Sequence, residues 1–102
     1  MTTRSRSYVT QDLPASPAAA VKVSAGTNGG QGAGRTSMII QNNLLAGGGN
    51  LYVGYQPNLS VQAYLVIMPG GSILRDFACP QDDIFMWADV ANSNGTIWET
   101  WG

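Results

Sequence analysis

From residue 35 onward the chain is a run of short β-type segments punctuated by glycine and asparagine, and this layout restricts the fold more than any other feature. Within residues 35–41, Thr36, Met38 and Ile40 share one face of a period-two pattern, and Ser37, Ile39 and Gln41 share the other. Leu51, Val53 and Tyr55 alternate with Tyr52 and Gly54, and Val61, Ala63, Leu65 and Ile67 form a further inward set. Residues 72–78, 84–90 and 96–101 complete the series. The intervening residues are turn chemistry, because glycine and asparagine accept positive φ and proline presets it. Met68-Pro69-Gly70-Gly71 predicts a type II turn, and Asn94-Gly95 is a strong hairpin signal. No segment carries a helical period. Six strands, or seven with Val21-Lys22-Val23, at a spacing of about ten residues predict an all-β fold. The expected form is an antiparallel β-sandwich or a small jelly-roll-like barrel. Its expected core is Met38, Ile40, Val53, Leu65, Ile67, Ile84 and Met86.

Residues 1–34 have a different texture. Pro14, Pro17, three consecutive alanines at 18–20 and the glycine-rich stretch 26–34 read as a linker. The expected organisation is an extended N-terminal arm over residues 1–34 and a β domain over 35–102. Fully extended, about 30 residues reach on the order of 100 Å, enough to lie along a neighbouring subunit. The alternative is an arm folded back on its own domain.

Charged residues make up 11% of the chain, against about 25% in an ordinary domain. A surface with so few charges suits a protein covered by neighbours; a small β domain with an uncharged polar exterior is the plainer alternative. Arg4, Arg6, Lys22, Arg35 and Arg75 form no basic stripe, so nucleic acid is not an expected partner. No apolar run is long enough to span a membrane. No apolar stretch follows the first six residues, so no signal peptide is expected and synthesis in a cytoplasm follows.

The chain has no histidine and a single cysteine, Cys79. Without histidine the usual base that activates a thiol is missing, and Cys79 reads as a small buried residue. Asp82-Asp83 lacks calcium-loop spacing and reads as turn acids. Asp89 and Glu99 are a conceivable carboxylate pair for glycosidic cleavage, but on adjacent strands they are expected to face solvent. Residues 29–34 lack the Lys-Ser/Thr ending of a phosphate loop. The reading is therefore a non-enzyme with no cofactor and no metal.

Trp87, Trp98, Trp101, Tyr52, Tyr55 and Tyr64 suit either a subunit interface or a sugar-stacking platform. Trp98 and Trp101, three apart, fall on opposite faces of a strand. The expected interface residues are Arg4, Arg6, Tyr8, Val21, Val23, Trp98 and Trp101.

The order Arg35-x-Ser37-x-x-Ile40-Gln41-Asn42, then Leu51-Tyr52-Val53-Gly54, then Leu65 with Met68-Pro69-Gly70, then Asp76, then Ile84-Phe85-Met86-Trp87 resembles a known pattern. It is similar to a small β domain of tailed-bacteriophage virion proteins, found in head decoration proteins, head fibres and tail-associated proteins. The similarity covers residues 35–100, about two-thirds of the chain. Its motifs are turn and core residues. The aromatic-rich end and the glycine-rich arm depart from it. The resemblance implies a virion structural protein that decorates or cements a capsid by non-covalent clamping. Its implied partners are the major capsid protein and copies of itself, with a trimer as the natural state, and its implied location is the virion. The alternative it leaves open is a head-fibre or tail-associated module that recognises host-surface glycans.

Overall fold

The structure, a computed structural model, describes residues 4–9, 13–25, 34–43, 49–75, 79–91 and 93–101. The described residues form eight strands: β1 (Arg4–Val9), β2 (Val21–Ser24), β3 (Arg35–Asn42), β4 (Leu51–Gly54), β5 (Leu65–Ile67), β6 (Ser72–Arg75), β7 (Ile84–Ala88) and β8 (Gly95–Trp101). They make two four-stranded sheets, ordered β1-β8-β3-β6 and β2-β7-β4-β5. Every pairing is antiparallel. The result is an all-β sandwich with the strand order of an eight-stranded jelly roll.

Alternation builds the core. Along β8, Gly95, Ile97, Glu99 and Trp101 are buried while Trp98 is exposed. Met38 and Ile40 of β3 meet Leu51 and Val53 of β4, Ile67 of β5, and Ile84, Met86 and Ala88 of β7. Six of the seven expected core residues are there. Leu65 is the exception. It pairs with Val53, two places from the buried pair Leu51 and Ile67, and so shares their inner face. It is nevertheless 45% exposed, because the sandwich stands open at that corner. Residues 61–63, expected to extend this strand, form a 3-10 turn instead.

The expected arm is corrected by the fold. β1 pairs along the whole of β8, and β2 pairs with β7. Leu13 is fully buried and bridges Ser93. The segment thus folds back on its own domain and supplies one strand to each sheet. Without it β8 and β7, which carry the central rows of the core, would become edge strands with a row of unpaired backbone groups. Residues 26–33 of the glycine stretch lie outside the described residues, as do residues 76–78 of an expected strand.

The Met68–Gly71 segment forms the predicted type II turn, with Gly70 at φ 78° and the Gly71 amide donating to Met68 O at 2.8 Å. The Asn94-Gly95 expectation is corrected. β7 and β8 belong to different sheets, so this connection crosses the sandwich and is no hairpin. In a jelly roll only β4 and β5 are consecutive strands of one sheet here. Asn42 is buried, and its Nδ2 donates to Gly49 O and Ile67 O at 3.1 and 2.9 Å, tying the end of β3 to the facing sheet.

Two single-residue bulges adjust the pattern. In β3, Arg35 pairs with Trp101 and Ser37 with Thr100, so Thr36 is the extra residue. In β2, Lys22 pairs with Phe85 and Ser24 with Ile84, so Val23 is extra. Each bulge reverses the facing of what lies beyond it. Arg35 and Ser24, which strict alternation turns outward, both point into the sandwich.

Candidate functional site

Those two inward residues meet at one end of the core. Arg35 Nε donates to Glu99 Oε2 at 2.7 Å, with both side chains fully buried. Arg35 Nη2 reaches Ser24 Oγ at 3.0 Å and Ala25 O at 3.4 Å, and Nη1 reaches Pro80 O at 2.6 Å and Asp82 O at 3.2 Å. All five guanidinium protons thus have acceptors. Ser24 Oγ donates to Glu99 Oε2 at 2.7 Å. The Tyr8 hydroxyl lies 3.2 Å from Glu99 Oε1 and also bonds Val23 O. This network spans both sheets and holds the 79–83 loop. Glu99, expected at the surface beside Asp89, is its centre, while Asp89 is exposed and accepts from the Asn50 amide. The buried Glu99 carboxylate is thus enclosed by a guanidinium, a serine and a tyrosine, and the cluster clasps the two sheets together.

The expected interface residues separate. Trp101 is 3% exposed and belongs to the interior, a correction that follows from its inward place on β8. Tyr8 and Val23 are partly buried and pack against the core. Val21 and Trp98 are exposed. Arg4 and Arg6 pair through their backbones with Trp101 and Glu99, and their side chains lie outside the described residues.

Three of the aromatic residues pack on one another and are buried. Tyr52 stacks on Trp87 at 4.0 Å, and Tyr64 meets Trp87 edge-on at 5.8 Å. All three are buried on the outer side of the second sheet. Gly54 permits this, since a Cβ there would stand 2.5 Å from Tyr64 Cδ1. A hydrogen bond with Asp89, reinforced by burial, raises the Tyr52 phenol above the ordinary tyrosine value. Cys79 is partly buried against the core, and burial pushes its thiol up, away from the reactive thiolate. Among the described residues no three His, Cys, Asp or Glu side chains gather as metal ligands.

Among the described residues two surfaces stand out. One is the β5–β6 margin. A cavity of about 380 Å³ opens there between the sheets, lined by Met38, Val53, Leu65, Ile73 and Ile84, with Arg75 and Gln62 also in its wall. Tyr55 and Leu65 in its wall are 46% and 45% exposed, and Val61, Val66, Met68 and Leu74 of the same stretch of chain are also exposed. The other surface is the outer face of the first sheet. Its in-register rows run Ser7–Trp98–Ile39–Leu74 and Ser5–Thr100–Ser37. The sequence marked Trp98 and left the others unmarked, because only register brings them together.

No protein-family model matches the chain, and no curated protein or solved structure matches it either.

Proposed function

We propose that the chain is a bacteriophage virion structural protein that decorates the capsid and stabilises the shell by non-covalent contact. The observation that carries this reading is the apolar β5–β6 margin. Six large apolar side chains from residues 55–74 stand exposed, and two of them, Tyr55 and Leu65, lie in the wall of an open inter-sheet cavity. The whole chain has only eleven charged residues. Apolar exposure beside an open cavity suits a surface that another protein covers. The resemblance of residues 35–100 to phage virion domains supplies the partner, the major capsid protein. The clasp between Arg35 and Glu99 and the paired N-terminal strands make the domain a self-contained unit, so attachment proceeds through its surface and not through a detached arm. Bound to a repeating shell, modest contacts multiply, and each bound copy favours the assembled state by mass action.

The test is reattachment of purified protein to capsids stripped of it. Met68, the most exposed of the six at 70%, is the variant position of choice. Met68→Glu keeps the fold and is expected to lose attachment. Unchanged attachment of this variant and of Val66→Glu overturns the margin as the contact surface.

A further inference from the structure

The outer face of the β1-β8-β3-β6 sheet carries a groove of about 290 Å³ lined by Ser5, Ser7, Ser37, Ile39, Trp98 and Thr100, with Glu99 between the last two. Its chemistry differs from that of the β5–β6 margin. We propose that this groove binds one pyranose unit of a neutral polysaccharide, with the Trp98 indole as the stacking wall and the serine and threonine hydroxyls as the polar floor. The inference rests on the groove alone and stands apart from the capsid reading.

Three observations select that ligand. First, Trp98 is 40% exposed, whereas Trp87 and Trp101 are 5% and 3% exposed. It pairs with Ser7 on one side and Ile39 on the other, so it rises from the middle of the sheet. An indole held there offers a flat π-face, which suits the C–H face of a sugar ring. Second, the adjacent row is made of hydroxyls. Thr100 Oγ1 lies 2.5 Å from Ser37 Oγ and 2.8 Å from Thr36 Oγ1, and either member of each pair can donate. A hydroxyl chain without fixed polarity can give or take a hydrogen bond at its ends, and so can every hydroxyl of a sugar. Third, the groove is electrically neutral. Among the described side chains the one charged residue along it is Glu99, whose carboxylate is turned inward onto Arg35 and Ser24. An anionic ligand such as a phosphate or an acidic peptide finds no counter-charge on these residues. An apolar protein segment would strip water from a hydroxyl floor without replacing its hydrogen bonds. The volume holds one ring and its substituents, not a chain of rings, which agrees with a single exposed indole where a longer platform would need several.

The experiment is an NMR titration of the full chain with maltohexaose, cellohexaose and mannohexaose, and with dextran sulfate as the anionic comparison. The expected result is that at least one neutral hexasaccharide binds with a millimolar or tighter dissociation constant. It shifts the Trp98 Nε1–H resonance and leaves those of Trp87 and Trp101 in place. Trp98→Ala is expected to weaken binding by about tenfold or more, while Trp98→Phe, which keeps a stacking ring, retains most of it. Thr100→Val, which keeps shape and removes the hydroxyl, is expected to weaken binding without disturbing the other indoles. Absence of binding by all three neutral sugars at about 10 mM overturns the proposal. So does binding that leaves the Trp98 resonance unmoved, or a preference for dextran sulfate. None of these outcomes bears on capsid attachment, which is read separately through Met68 and Val66.

Discussion

Arg35 and Glu99 form a fully buried ion pair, 2.7 Å between Nε and Oε2, with every remaining guanidinium proton accepted by Ser24, Ala25, Pro80 or Asp82. Burying two charges is costly, and such a pair is tolerated only when its other hydrogen bonds are made as well. Breaking one side leaves an uncompensated charge in the interior. Glu99→Gln is therefore expected to destabilise the fold by about 3–5 kcal/mol, whereas the apolar double variant Arg35→Met with Glu99→Leu loses less than the two single changes combined. Urea unfolding of wild type, Glu99→Gln, Arg35→Met, Glu99→Leu and the double variant decides this. A Glu99→Gln midpoint equal to wild type contradicts the clasp.

The N-terminal strands are part of the sandwich, so their removal is an unfolding event. Deleting residues 2–30 takes β1 from one sheet, β2 from the other and Leu13 from the core. The shortened chain is expected to lose cooperative thermal unfolding and its near-ultraviolet circular dichroism. A truncated protein that melts cooperatively restores the separate arm.

Leu65 and Ile67 share a strand and a face yet differ in burial, at 45% and 3% exposed. Ile67→Ala is expected to cost about 2–5 kcal/mol by opening a cavity in the core. Leu65→Ala, at the open corner, is expected to cost less than about 1 kcal/mol. Denaturant midpoints measure both. Equal losses at the two positions show that the corner is closed.

Tyr52 gives stability a specific alkaline dependence. Its bond with Asp89 and its burial raise the folded-state pKa above the ordinary tyrosine value, which is about 10. As pH rises the unfolded chain therefore loses this proton first, so the contribution is intact below about pH 10 and is lost above it. The stability difference between wild type and Tyr52→Phe is expected to stay constant from neutral pH to about 9 and to shrink as pH climbs beyond 10. Urea midpoints of the pair across this range test the sign. A difference that grows with pH contradicts it.

Much of the fold was legible because period two was kept where the strands are regular. Met38, Ile40, Val53, Ile84 and Met86 stand where alternation places them, and Pro69-Gly70 makes the turn its chemistry requires. The misreadings have physical causes. Turn residues report a change of direction but not which sheet the chain enters, so Asn94-Gly95 looked like a hairpin and is a crossover. A proline, alanine and glycine-rich leader reads as a linker, and its pairing with β8 and β7 is a long-range contact that no local pattern encodes. The bulges at Thr36 and Val23 hid the clasp, since strict alternation puts Arg35 and Ser24 on the outer face. Trp98 was visible as one of two tryptophans on opposite faces. Which of the two points outward depended on the β8 register, and the hydroxyl groove beside it depended on the neighbours that register brings.

The proposed role is residence on a phage virion through apolar contact. Mass spectrometry of purified virions from a phage that carries this sequence, before and after washing in about 1 M salt, measures it, because screening removes exposed ionic contacts and spares apolar ones. The expected result is a fixed ratio to the major capsid protein that survives the wash, with loss of that signal for Met68→Glu. Absence of the chain from those virions, or its complete release by salt, overturns the proposed role.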